Sequence, residues 1–338
     1  MSRIDLSKVK EFMSTNAIYI VLIVLIGVIA FVDPRFLSIV CLRDILIQSS
    51  TRIIIALGVF FIILTGGTDL SAGRMVGFAA VLSASMLQSP DYLRRFYPEL
   101  PQLAIAIPIL LAIGAGLLVG LGNGFSVARL NVPPFIATLG GQVIIYGINS
   151  IYFDMAPNNS QPIGGLRNDF TELGTGVIGE GLYSLPYIVI IALVVAVIVW
   201  IIANKTQFGK NVYAIGGNVE AARVSGINIK KNLMIIYAMA GSLYGLAGVL
   251  EAARTGGATN NYGMGYELDA IAACVVGGVS VTGGVGKVPG VLAGVLIFSV
   301  INYGLTFINV NPYWQMIIKG AIIISAVAFD IRKYVSKK

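Results

Sequence analysis

Histidine is absent from this chain, acids number 16 in 338 residues, and only 12% of positions carry charge. Without histidine the chain lacks the commonest metal ligand and the commonest general base at neutral pH. No Ser/His/Asp set, metal-ligand cluster or haem signature occurs in the sequence. The phosphate-binding loop GxxxxGK[ST] is missing too: Gly286-Lys287 is followed by Val288, and Val281 stands where the first glycine belongs. Nucleotide is therefore not bound through such a loop, and any work done on the chain comes from a gradient or another subunit. Cysteine is nearly absent. Cys41 reads as part of a short polar connection and Cys274 as part of an apolar run, so the two do not read as a disulfide pair.

The shortage of charge decides the solvent. Soluble domains carry about 25% charged and about 45–50% apolar residues, whereas this chain is 57% hydrophobic, with a mean hydropathy of +0.85. Its 16 acids and 23 bases cannot clothe a soluble surface of this size, so most of it faces membrane lipid. The net charge of +7 does not point to nucleic acid, because the bases form no single patch or arm.

A bilayer core of about 30 Å needs about 20 apolar residues of helix. Ten runs meet or approach this: 17–32, 45–66, 74–88, 103–123, 134–153, 185–203, 232–252, 267–284, 288–308 and 314–331. The first follows Lys8 and Lys10, lacks a small-residue cleavage site and leads into Asp33-Pro34-Arg35, so it reads as an uncleaved helix. With the amino terminus inside, the outer segments hold only Arg35, Arg43, Arg94, Arg95, Arg167 and Arg254. The other bases fall inside, except Arg52 and Lys319, which lie within runs. That bias orients the chain with both termini in the cytoplasm. Arg52 is expected to snorkel outward. The whole chain, 1–338, reads as one membrane domain with an outer loop at 154–184 and an inner, basic loop at 204–231.

Polar and ionisable groups inside runs are costly in lipid, so each marks a polar path or a helix–helix contact. Asp69, Asn123, Gln142, Asn149, Asp269, Asn302 and Gln315 are such groups, with Tyr303 as an aromatic face beside them. Glu251 and Lys319 belong to the same class. Either a transport path or packing accounts for them at this stage. Small residues recur every fourth position at Gly116, Gly120 and Gly124 and again at Gly286, Gly290 and Gly294, which predicts close helix packing. Asn131-Val132 before Pro133-Pro134 echoes Asn309-Val310 before Pro312, a hint of duplicated halves.

The inner loop contains Glu220-Ala221-Ala222-Arg223-Val224-Ser225-Gly226. Alanines favour helix, Asn218 is placed to cap its start, and Gly226 to end it in a left-handed cap. The bland reading is a solvated connection that fixes topology. The stretch also resembles the coupling-loop signature of permeases in ATP-binding-cassette importers, with Glu220, Ala221, Ala222 and Gly226 on the matching positions. Ile236 falls where the longer pattern has isoleucine, but Ala238-Met239 replaces the Leu-Pro that should follow. Gly66-Gly67-Thr68-Asp69-Leu70-Ser71-Ala72-Gly73 is similar to a glycine-rich block of ribose/galactose-type sugar permeases. So are Glu267-Leu268-Asp269-Ala270-Ile271-Ala272-Ala273, Gly277-Gly278-Val279-Ser280-Val281-Thr282-Gly283-Gly284-Val285-Gly286, and Asn311-Pro312-Tyr313-Trp314-Gln315. Phe208-Gly209-Lys210-Asn211 and Ala214-Ile215-Gly216-Gly217-Asn218 extend the likeness over nearly the whole chain.

The resemblance implies an all-α polytopic fold of about ten transmembrane helices, like the permeases of type II importers. It implies a homodimer in the bacterial inner membrane, and no cofactor in this chain. An ATPase subunit with two nucleotide-binding domains would bind ATP and magnesium, and a periplasmic sugar-binding protein would deliver a monosaccharide such as galactose or methyl galactoside. The rival expectation is a gradient-driven facilitator or symporter in which the 204–231 loop is passive.

Overall fold

The computed structural model describes residues 17–335 apart from 180, 182 and 183. Every apolar run carries a helix: α1 Ala17–Val32, α2 Ile39–Leu64, α3 Ala72–Met86, α4 Ala106–Ala128 and α5 Pro134–Asp154. After them come α6 Asn168–Thr175, α7 Tyr187–Lys205, α8 Gln207–Gly217, α9 Val219–Val224, α10 Ile229–Thr255, α11 Tyr266–Val276, α12 Val288–Phe307 and α13 Pro312–Val335. Of these, α6, α8 and α9 lie in the two long loops. A short hairpin pairs β1, Val177–Ile178, with β2, Leu185–Pro186. Among the described residues six helices, α2, α4, α5, α7, α10 and α12, are long and apolar enough to cross a membrane.

Two boundaries depart from the sequence reading. The run at 267–284 does not form a full span: α11 has 11 residues and stops at Val276. Beyond it Gly278, Gly283 and Gly284 take φ of 84°, 89° and 75°, values that no right-handed helix contains, so the chain turns through 277–287. The second correction is at α2, which begins six residues before the run at 45–66. The Ser38 hydroxyl accepts the Cys41 N–H at 3.3 Å and caps the helix there. Cys41 is therefore a buried helical residue rather than part of a connection, and both cysteines are free.

The longest helix, α10, runs through the middle of the bundle against α2, α3 and α4. Lipid offers no hydrophobic drive for helices to associate, so close approach of small residues carries the packing. A Cβ on Gly116 or Gly120 would collide with the Gly241 or Tyr237 carbonyl of α10, and one on Gly124 would reach the Met234 backbone at 3.1 Å. Gly290 and Gly294 pack in the same way against Gly277 and Ala273. Facing away from the bundle, Leu118, Val143, Ile144, Ile151 and Val197 are exposed apolar side chains suited to lipid.

The helix ends gather into two opposed groups. At one end the Leu64 carbonyl accepts the Gly284 N–H at 2.8 Å, with α8 packed against both. Exposed bases collect there: Arg129, Lys205, Lys210, Arg223 and Lys231. At the other end the loops 87–105, 155–186 and 256–265 interlock through bridges Gln88–Leu166 and Ile163–Ala258, and acids and bases mix. Asn131 and Asn309 both take a left-handed φ, 55° and 56°. They sit in the α4–α5 and α12–α13 links, at opposite ends of the bundle, so the sequence echo is matched in the backbone.

Candidate functional site: a basic surface helix pair and two buried polar clusters

The expected inner-loop helices form at α8 and α9. Thr206 caps α8 by accepting the Gly209 N–H at 3.2 Å, and Asn218 caps α9 by accepting the Ala221 N–H at 2.9 Å. Gly226 closes α9 with φ 81°. Glu220 and Arg223 pair across one turn at 2.9 Å with side chains 72% and 62% exposed, so the pair is worth little to the fold and both charges remain open to a partner. Val224 beside them is 89% exposed, an apolar tip on a charged surface. Ala222 is buried and anchors the helix.

The pair packs on the bundle through α8. A Cβ on Gly216 would clash with both the Leu64 carbonyl at the end of α2 and the Gly284 backbone nitrogen. The Tyr213 hydroxyl donates to the Gly286 carbonyl at 2.9 Å. Burial pushes the Tyr213 pKa up, which keeps it a donor. Through Gly216 and Tyr213, α8 thus touches both the end of α2 and the 277–287 turn.

The first buried cluster lies where the glycine-rich 65–71 link enters the bundle. Asp69, 2% exposed, accepts the Ser71 N–H at 2.8 Å and its hydroxyl at 2.6 Å. Asn123 of α4 donates to the Ser71 hydroxyl at 2.9 Å, and Thr138 of α5 accepts the Leu70 N–H at 3.1 Å. Tyr237 and Tyr244 bring two buried hydroxyls toward Asp69. Asp69 and Asn123 are thus brought together, while Gln142 sits half-buried on α5 one position past Gly141, which packs on Asn123.

The second cluster joins α2, α10, α11, α12 and α13. Asp269 stands 3.5 Å from both Arg52 and Lys319. The Arg52 guanidinium lies 3.2 Å from the centre of the Tyr266 ring. Arg52 therefore turns onto a carboxylate and an aromatic face within the bundle rather than snorkelling outward as expected. Glu251, 2% exposed, accepts from Thr51 at 2.9 Å, Arg254 at 2.7 Å and Tyr266 at 3.0 Å. Between these groups and Ser299 and Asn302 lies a cavity of about 10 Å³, room for about one water and far too small for a hexose. The Asn302 Oδ1 atom beside it has no hydrogen-bond partner among the described residues.

The remaining candidates do not join either cluster. Asn149 is buried and donates to the Asn260 carbonyl at 3.4 Å. Tyr303 donates to Asp44 at 3.1 Å and packs on Phe36 and Phe307, which accounts for it as a packing residue. Gln315 donates to the Val310 carbonyl at 2.9 Å and so fixes the α12–α13 link. Arg74, read as an inner-loop base, lies within α3 with its guanidinium 4.2 Å from the Tyr146 ring centre. Arg52, Lys319 and Glu251 join Asp269 in the second cluster. The signal for them was in the sequence, as charges inside apolar runs.

A family profile described as the permease component of the branched-chain amino acid transport system matches residues 41–327. The chain belongs to this permease family. It is 55% identical to the galactose/methyl galactoside import permease protein of Haemophilus influenzae and 54% identical to that of Escherichia coli K12, each across the full length of both chains. It is 37% identical over 324 residues to the ribose import permease protein of Escherichia coli K12, covering 96% of each chain. No solved structure matches it. The permease is a multi-pass membrane protein and a transporter subunit of the sugar ABC importer class, not an enzyme.

Proposed function

We propose that this permease forms the translocation path of an ATP-driven importer for galactose or methyl galactoside in the bacterial inner membrane. The observation that carries the reading is its end-to-end identity of 54–55% with relatives named for that import. The family profile is named for branched-chain amino acids, whereas relatives matched over the full length are named for sugar import. In this reading the chain crosses the membrane ten times, with α3 and α11 as short crossings completed by the 65–71 and 277–287 links. Both termini lie in the cytoplasm, because the basic end that carries α8 and α9 is the inner one.

Two copies of the permease surround the path. An ATPase subunit with two nucleotide-binding domains docks on Glu220, Ala221, Val224 and Gly226, over the buried Ala222. A periplasmic sugar-binding protein docks on the opposite end, over the 155–186 segment. ATP and magnesium belong to the ATPase. Nucleotide binding closes that subunit and pushes α9, and α8 passes the motion through Gly216 and Tyr213 to α2 and the 277–287 turn. The Asp69–Asn123 cluster on the inner side and the Asp269–Asn302 cluster on the outer side are the two polar constrictions, and the small cavity at the second corresponds to a closed outer path. Asn149 and Gln142 line the stretch between them.

Uptake of labelled galactose by vesicles holding permease, ATPase and binding protein tests the reading. Glu220→Lys and Gly226→Pro are expected to abolish uptake while leaving membrane insertion intact. Normal uptake in both variants, or downhill sugar flux through the purified permease alone, contradicts it and favours a gradient-driven facilitator.

A further inference from the structure

On the surface between α4 and α10 a groove of about 500 Å³ opens sideways, away from both polar clusters. Its walls are mainly apolar, with Leu117 and Leu121 from α4 and Met239 from α10 beside a lone Ser242, and its lower rim carries Arg129, Lys231 and the neutral Asn228. No acid lines it. Arg129 and Lys231 are exposed, and neither joins an ion pair among the described residues. The groove exists because Gly116, Gly120 and Gly124 draw the two helices together along one line, which leaves a furrow beside it.

The dimensions fit one leaflet. Leu117 and Arg129 are twelve positions apart on one helix, about 18 Å at about 1.5 Å per residue. Half a bilayer core is about 15 Å thick. The basic rim therefore lies at headgroup depth when the apolar walls lie at acyl-chain depth. A furrow that opens into hydrocarbon is filled by lipid, and two unpaired cations at its headgroup end select for negative charge.

We propose that this groove is a seat for an anionic phospholipid of the leaflet on the basic side, with its phosphate held by Arg129 and Lys231 and one acyl chain laid along Leu117 and Leu121. The inference does not depend on what the permease carries. A bound lipid bridging α4 and α10 also ties the start of α10 to the end of α4, just below the α8–α9 pair.

The test is a titration of the purified full-length permease with phosphatidylglycerol and with phosphatidylethanolamine of the same acyl chains. Binding is read by native mass spectrometry and by the thermal unfolding midpoint. Phosphatidylglycerol is expected to be retained preferentially and to raise the midpoint. Arg129→Gln with Lys231→Gln should weaken that binding about thirty-fold, from about 1 kcal/mol per basic residue near a charged surface. Arg129→Lys should retain most of it, and the double variant's lipid-free midpoint should match the parent. Equal retention of the two lipids, unchanged phosphatidylglycerol binding in the double variant, or an equal shift from inorganic phosphate alone would overturn the proposal. So would efficient crosslinking of Leu117→Cys to a second copy, because the groove would then be a subunit interface.

Discussion

Gly226→Ala is the sharpest perturbation of the α9 handle, because the structure separates conformation from space at that position. The end of α9 is closed by Gly226 N–H to the Arg223 carbonyl at 3.0 Å and Ile227 N–H to the Ala222 carbonyl at 3.1 Å. The second bond requires the left-handed φ of 81° at Gly226. A Cβ added at Gly226 meets nothing within 4 Å, so alanine suffers no clash. Its cost is the left-handed backbone alone, about 1–2 kcal/mol, which lowers the closed cap relative to open forms by about 5–30-fold. Asparagine visits that region more readily, although it is larger. Sugar uptake and binding-protein-stimulated ATP hydrolysis in the reconstituted importer should therefore fall in the order Gly, Asn, Ala, Pro, with the alanine deficit no greater than that factor. A limit set by size predicts alanine above asparagine. That order, or alanine equal to glycine, would refute the reasoning.

Gly120→Leu drives a side chain into the Tyr237 carbonyl and should destabilise the bundle by about 1–3 kcal/mol, whereas Gly122→Leu, which meets nothing within 4 Å, should be tolerated. Thermal unfolding in detergent compares them. Asp269→Asn leaves Arg52 and Lys319 without their counter-charge; with all three side chains partly exposed, the loss is about 1–2 kcal/mol. Adding Lys319→Met should recover part of it in the same assay. The Arg167 guanidinium holds Asp169 below its usual 3.8, so the stabilisation is present above that value and is lost as pH falls through the lowered pKa. The protection of α6 amides against hydrogen exchange, relative to their intrinsic rates at each pH, should fall on acidification below about pH 4, and Asp169→Asn should remove that fall.

Helix positions were legible wherever hydropathy alone decides them, as at α4, α5, α7 and α12. They were misread where a local conformation overrides composition. The run at 267–284 is apolar enough to average as a span, yet glycines with positive φ at 278, 283 and 284 end the helix early. At α2, Arg43 and Asp44 made residues 39–44 look like loop, but Arg43 reaches Ser184 at 3.2 Å and Asp44 accepts from Tyr303, so tertiary partners support charge inside the helix. The α9 signature was legible because its caps are local: Asn218, the alanines and Gly226 each act within one turn. The buried clusters were legible only as a set of polar positions. Which of them meet depends on helix rotation, so Asp269 could not be joined to Arg52 and Lys319, nor Tyr303 assigned to packing, without the three-dimensional arrangement.

The account stands on α9 being a cytoplasmic handle for a separate ATP-hydrolysing subunit. Val224, the exposed tip of that helix, offers the most direct measurement, with Cys41 and Cys274 buried and out of reach. A Val224→Cys chain, co-expressed with its neighbouring subunits and treated with a thiol crosslinker, should join to the ATPase in a yield that changes with nucleotide. Labelling of the same cysteine by a membrane-impermeant reagent from the outer face, or no crosslink to any ATP-hydrolysing protein, would contradict the account.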